Sequence, residues 1–499
     1  MRNFVSTFSI LCIVLALGHI PMGHAAPKAH SLVIIIDGLR PDYIQSELMP
    51  TLRQLKTEGA YGQNHHSVFP TVTRVNSTSI STGCYPAKHG IMGNTVYFPE
   101  VNPKRGISTS DYKNLVEIDE AMGGNLVTAK TTGEYLQDAG KKLVAVSSGS
   151  TGSAFLLNHK LAGGAVLNNN VTLPASLEKT VYDILGPPAE DAYPNIEKVQ
   201  RCADLYLQIA LDDLEADAVF MWLTDPDHTA HKFGIGHPTT LDALRNVDKT
   251  LQRILEGLEE RGMREHTNIL ITADHGFTTY AGVGNPLFTL RDSIRELRLN
   301  PNEVKQVGTA IYLEGEALEQ IDAFAERLQQ EAWVGAVFSA PSNADANIGK
   351  IPGTLSTGSV QWNHERAGQL LLSTRWNDDE NEFGYKGATL LRAVGAGHGS
   401  SASWDIHIPF IGYGPAFKQG KEFATPSSNV DIAPTILHLL GLPHPDTMDG
   451  RILKEALKGG PTPDAQQINS IIHKTDSGAS IQISQYGKHH YVDWAKGKP

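Results

Sequence analysis

Residues 32–36, LVIII, form an unbroken aliphatic run that closes on Asp37-Gly38. A segment apolar at every position suits a strand covered on both faces. Leu143–Ser147, Ala218–Leu223 and residues 268–272 share that character. Between these runs, apolar residues return every three or four positions, the period of a helix with one buried stripe. Pro50–Glu58 reads as a short helix stopped by Gly59. Residues 195–214 carry Ile196, Val199, Ala203, Tyr206 and Ile209 on one face, and Leu241, Leu244, Val247, Leu251, Ile254 and Leu258 mark a longer helix closed by Gly262. Strand, helix and strand in succession predict an α/β fold, with a central, mostly parallel sheet and helices on both faces.

The pattern changes between residues 282 and 397. A strand at Ala310–Leu313, a helix near 318–330 and a strand at 368–373 describe a smaller, cap-like α+β insertion. The catalytic α/β domain would then comprise residues 26–281 and 398–460, with a last helix at 429–440. Residues 461–499 form a polar C-terminal extension, with a hairpin around Tyr486-Gly487-Lys488. At the other end, Arg2, the apolar residues 4–18 and Gly23-His24-Ala25 read as a signal peptide, 1–25, cut after Ala25. That predicts a secreted or periplasmic protein with no membrane attachment after cleavage. Composition narrows the partners: a formal charge of −12 over 499 residues argues against binding a nucleic-acid duplex. With Cys12 removed, Cys84 and Cys202 make no disulfide framework, and Cys202 lies on an apolar stripe as a buried thiol.

Three predicted strands end in potential ligands. Asp37 follows the first, Asp225-Pro226-Asp227 with His231 follows the third, and Asp274-His275 follows the fourth. Ligands of open parallel sheets bind beyond the carboxyl ends of the strands, so these side chains would converge. One acid after a strand is ordinarily a turn former. Several carboxylates in one crevice repel each other unless cations join them, and aspartate mixed with histidine suits zinc better than magnesium or calcium. Residues 68–90, VFPTVTRVNSTSISTGCYPAKHG, place a hydroxyl-rich turn before a run of small residues. Capping a helix is the simple explanation of Thr73 there; a nucleophile beside the free N–H groups of a helix start is the functional one.

DGLRPD, PTVTRVN, TGCYPAKHG, DPDHTAHKFG, TADHGF and GAGHG together resemble the alkaline phosphatase superfamily, and within it the nucleotide pyrophosphatase/phosphodiesterase (type I phosphodiesterase) family. The motifs span Asp37 to His398, and DIAPTILHLLGLP with MDGRIL extends the likeness to residue 453. The resemblance implies two zinc ions, one held by Asp37, Asp274, His275 and the Thr73 oxygen, the other by Asp227, His231 and His398. It also implies Thr73 as nucleophile, a phosphothreonine intermediate and Asn76 as a donor to a phosphoryl oxygen. The implied substrate is a small phosphate ester, a diester or pyrophosphate of nucleotide type.

Two departures bear on specificity. Arg74-Val75 stands where family members often carry an aromatic-proline pair, and Arg74 could compensate the second charge of a phosphomonoester. Ala230 replaces a glycine before His231. Tyr97 is a candidate for stacking on the organic part of the substrate. Cys84-Tyr85-Pro86-Ala87-Lys88 superficially resembles a sulfatase signature, but Lys88 replaces its arginine. Phosphomonoester hydrolysis, sulfate ester hydrolysis and a catalytically silent binding protein are the alternative readings.

Overall fold

Side chains of the first strand alternate between two cores. Leu32, Ile34 and Ile36 enter one and Val33 and Ile35 the other, so residues 32–36 are all apolar. The computed structural model describes residues 29–161, 163–282, 290–343, 345–391, 394–463 and 465–499. The expected signal peptide lies outside the described residues. Among those residues, no helix is long and apolar enough to cross a membrane.

A ten-stranded sheet forms the centre. In chain order its main strands are β1 (His30–Ile36), β2 (Ala60–His66), β3 (Leu143–Ser147), β4 (Ala165–Asn168), β5 (Val171–Leu173), β6 (Ala218–Leu223), β7 (Thr267–Thr272), β8 (His407–Tyr413) and β9 (Lys421–Phe423). Their order in space is β9-β2-β8-β7-β1-β6-β3-β4-β5. From β7 to β4 every pairing is parallel. β8 runs antiparallel to β7 and β2, and β5 antiparallel to β4. The mostly parallel sheet read from the sequence is therefore present, with antiparallel strands outside its parallel centre.

The helices that position the site are α1 (Pro50–Glu58), α2 (Thr73–Thr82), α3 (Ile196–Asp204), α4 (Asp227–Phe233), α5 (Pro238–Glu260) and α6 (Ile432–Leu439). Val199, Cys202 and Ala203 of α3 and Leu244, Val247, Leu251 and Ile254 of α5 cover one face of the sheet; Ile432, Ile436 and Leu437 of α6 help cover the other. The stripe expected to continue through residue 214 does so as a π-helical segment, Leu205–Asp213.

Within the region read as an insertion, Val304–Val307, Ala310–Leu313, Leu370–Thr374, Val334–Ser339 and Leu355–Ser356 form a separate five-stranded sheet. A four-stranded sheet joins this region to the centre. In it Thr278–Tyr280, just after His275, pairs antiparallel with Ala396–Gly397, just before His398. Ile468–Lys474, Ser480–Tyr486 and His489–Lys496 make a C-terminal meander, whose turn lies at Gly487 as the sequence predicts. Ile481, Ile483 and Ala495 of the meander share a core with Phe338 and Leu371 of the five-stranded sheet and with Trp362, in the loop after Leu355–Ser356.

Candidate metal centre and active site

The chain leaves β1 through Gly38, whose φ of +72° is accessible to glycine at little cost. That turn sets Asp37 at the strand end and aims the Gly38 N–H at Asp274 Oδ1, 3.1 Å away. Trp222 of β6 donates from Nε1 to Asp37 Oδ2 at 2.8 Å. Asp227 begins α4, and one helical turn on His231 places Nε2 3.2 Å from Asp227 Oδ1. His398 Nε2 lies 3.4 Å and His275 Nε2 4.0 Å from that same oxygen. The His275 and His398 rings stack with centroids 3.4 Å apart.

Each imidazole is oriented through its other nitrogen. His231 Nδ1 donates to Ala396 O at 3.1 Å, His275 Nδ1 to Gly276 O at 2.9 Å, and His398 Nδ1 to Thr71 O at 2.8 Å. With Nδ1 protonated in all three, Nε2 carries the lone pair, the tautomer a metal ligand needs.

Six of the residues named from sequence thus meet at the carboxyl ends of β1, β6 and β7. Two groups of ligand atoms lie within 4.8 Å of one another: Asp37, Asp274 and His275, and Asp227, His275 and His398. His275 belongs to both, while His231 approaches through Asp227. The polar atoms turned inward face one another: Asp37 Oδ1, Asp227 Oδ1, Asp274 Oδ2 and His275 Nε2 are buried without a hydrogen bond, His275 Nε2 lying 3.0 Å from Asp274 Oδ2. Orphaned buried carboxylate oxygens are costly unless a cation completes them. Electrostatics agree. Burial, with repulsion from Asp227 and Asp274, pushes the Asp37 carboxyl well above its usual range. Against burial, Asp227 and Asp274 hold His275 above its usual range, and Asp227 does so for His231. These residues fit divalent cations bound by nitrogen and oxygen, the donor set of zinc.

Thr73 is the first residue of α2 and lines a cavity of about 590 Å³ with Asp37, Asp227 and His231. No side-chain hydrogen bond caps α2, and the Thr73 hydroxyl has no partner among the described residues, so capping does not explain it. A second cavity, of about 300 Å³, also reaches His231. His398, Asn94, Met92, Val307, Thr374 and Leu391 are among its walls, so the smaller sheet closes one side of the centre.

Two residues named from sequence do not reach the site. Asn76 is fully buried; its Oδ1 accepts from Val68 N–H at 2.8 Å and from Asn429 Nδ2 at 3.0 Å, while its Nδ2 donates to Val68 O at 3.0 Å. It clamps the loop before α2 and has no donor left for a phosphoryl oxygen. Asn94, which sequence reasoning misses, is better placed: its Oδ1 accepts from Arg74 N–H at 2.9 Å, which anchors its amide beside Thr73 at the cavity wall. Only the Gly93-Asn94 turn signal marks it in the sequence. Tyr97 turns away. Its hydroxyl donates to Pro103 O at 2.9 Å and its ring packs on Tyr312 at 4.8 Å, whereas Tyr193, 44% exposed, stands over the larger cavity.

Cys84 and Cys202 are free and buried, and burial pushes both thiols up to about 12. Cys84 lines neither cavity and contacts the carbonyls of Thr82 and Thr447, which leaves the sulfatase reading without a nucleophile at the centre.

The family model for type I phosphodiesterase/nucleotide pyrophosphatase matches residues 31–377. The chain belongs to that family. Among curated type I phosphodiesterases, venom phosphodiesterase 2 of Crotalus adamanteus is 28% identical over 247 residues, 49% of this chain and 26% of that protein. Ectonucleotide pyrophosphatase/phosphodiesterase family member 1 of Rattus norvegicus is 25% identical across 86% of this chain and 42% of its own length. The chain thus spans a quarter to less than half of these relatives. In fold, a PafA alkaline phosphatase variant superposes with a TM-score of 0.64 at 18% identity, covering 87% of this chain and all of the other. Murine ectonucleotide pyrophosphatase/phosphodiesterase 5 does so with a TM-score of 0.60 at 17% identity, over 86% and 100%. The α/β architecture is that of the alkaline phosphatases.

Proposed function

We propose that this phosphodiesterase-family chain is an exported two-zinc hydrolase that cleaves phosphodiester or pyrophosphate bonds in small, nucleotide-type esters. The observation that carries the reading is the pair of cavities meeting at His231, which gives a diester room for a substituent on either side of the centre. Asp37, Asp274, His275 and Thr73 would hold one ion; Asp227, His231 and His398 the other. When bound, the ions supply Lewis-acid charge for the attacking and leaving oxygens. The Thr73 oxygen gives up its proton to solvent and attacks phosphorus in line. The bond to the leaving oxygen breaks and that oxygen takes up a proton. The remaining ester-bearing phosphoryl group rests on Thr73 until water attacks phosphorus, restores the threonine hydroxyl and releases a phosphomonoester. Asn94, held by Arg74 N–H, presents its amide to a non-bridging oxygen, and Tyr193, stacked on His228, stands at the cavity wall where the organic group would lie. A structure of an inactive variant of the murine relative in complex with AMP is consistent with a nucleotide-sized ligand.

The test uses zinc-loaded protein with bis(4-nitrophenyl) phosphate and 4-nitrophenyl phosphate. The diester is expected to be the better substrate, and Thr73→Ala to lower its kcat by at least about 1,000-fold while leaving the fold intact. Metal content near two zinc ions per chain is expected alongside. Equal rates for wild type and the Thr73 variant would sink the nucleophile assignment, and a faster monoester the diesterase preference.

A further inference from the structure

Arg74 follows the nucleophile directly and lines the larger cavity with Thr73, Asp37 and Asp227. Its backbone is committed to the helix start, with N–H on Asn94 and its carbonyl accepting from Thr78 Oγ1 at 2.8 Å. Its side chain is not. Nε is buried without a partner, and no ion pair or hydrogen bond reaches the guanidinium among the described residues. The two other cations on this wall are engaged elsewhere: Lys198 pairs with Asp191, and Lys232 Nζ sits 4.1 Å from the centre of the Tyr193 ring. The charges that act on Arg74 are the carboxylates of Asp37, Asp227 and Asp274, which two zinc ions would neutralise together with a deprotonated Thr73. A loaded centre would then leave one uncompensated guanidinium facing the cavity. A simple diester brings a single negative charge, on the reacting phosphoryl group where the ions would act; a second charge would have the Arg74 guanidinium as its counter-ion.

Resting on the two-zinc reading above, we infer that Arg74 is a specificity residue that binds a second negative charge on the substrate. Charge-assisted, two-pronged contact with phosphate oxygens is what a free guanidinium does best. That charge has two sources. It is either the second ionised oxygen of a phosphomonoester or the adjoining phosphoryl group of a pyrophosphate bond.

The experiment compares kcat/KM of wild type, Arg74→Met and Arg74→Lys on 4-nitrophenyl phosphate, on ATP and on bis(4-nitrophenyl) phosphate. The Met variant is expected to lower turnover of the monoester or of ATP about 100-fold more than that of the bis-aryl diester, the scale of losing one charged donor at a reacting phosphoryl group. The Lys variant is expected to recover part of the difference. Which of the two polyanions suffers identifies the source. Equal losses on all three esters would overturn the inference. A second arm measures calorimetric binding of inorganic phosphate and pyrophosphate to zinc-loaded protein carrying Thr73→Ala, with and without Arg74→Met. If no ester is turned over, the proposed activity fails, and this arm still decides the role of Arg74: weaker anion binding in the double variant supports it and unchanged binding refutes it.

Discussion

Trp222 shows how a core residue can govern a polar one. Its ring fills the interior below the strand ends, and its single N–H fixes Asp37 Oδ2, which turns Oδ1 toward the centre. Trp222→Phe keeps most of the buried area and removes only that restraint. Zinc affinity is expected to fall about 10- to 100-fold, as for lost partners of metal ligands elsewhere, and chelator competition would measure it. His89, at the end of the short helix after α2, gives a pH signature. Its Nδ1 accepts from Ile91 N–H at 3.1 Å, so Nε2 carries the proton and donates to Ser79 Oγ at 3.1 Å. A second proton would meet a donor already in place. Burial, then His364, pushes this imidazole down from 6.5 to about 3. The unfolded chain therefore takes up the proton first as pH falls. The contribution is complete above the unfolded value and is lost from there down to about 3, by up to about 1.4 kcal/mol per pH unit. Urea midpoints of His89→Gln are expected to fall less steeply than wild type across that window.

Element ends, rather than element interiors, determine where the ligands sit. Gly276 shows how little room the β7 exit has. A Cβ there would lie 2.0 Å from the Trp404 carbonyl oxygen, while Gly276 N–H donates to Asp405 O at 2.7 Å. Gly276→Ala must push the strand end from its neighbour, and a loss of about 2–4 kcal/mol with impaired zinc retention is expected, readable by thermal unfolding and metal analysis. Strands β1, β6 and β7 were legible in the sequence because burial on both faces gives each a continuous apolar stretch of at least three residues. Their termini were legible because an acid directly after such a run has few other reasons to be there. β2 was not. It carries Gln63, Asn64, His65 and His66, and the last two are buried with Ser427 receiving both, His65 through Oγ at 2.8 Å and His66 through O at 2.8 Å. No local pattern announces a partner more than 350 positions away. Asn76 and Asn94 differ for the same reason: the family resemblance suggested the first, while the second reaches Arg74 only through the fold of residues 91–96.

At the scale of the whole molecule, the candidate metal centre is assembled from residues between Asp37 and His398 and clasped from further downstream still. Ala495 N–H donates to Ser401 O at 3.0 Å, and Ser401 Oγ lies 2.8 Å from both Ala495 O and Ser373 Oγ, so the last strand of the meander steadies the loop that carries His398. His66 Nε2 meets Asp493 at 2.9 Å on the same strand. Ser401→Ala is expected to cost about 1–3 kcal/mol for the buried groups it leaves unpaired, and to lower zinc retention more than a surface substitution of equal cost. Equilibrium unfolding and metal content measured on one sample would check both. The clasp also has a consequence in time. A ribosome delivers Thr73 and the first aspartates hundreds of residues before Ala495, so a nascent chain holds the proposed nucleophile and several proposed ligands long before the His398 loop can be locked. On the two-zinc reading, full metal retention and turnover would follow only once residues 489–496 have paired and steadied the His398 loop.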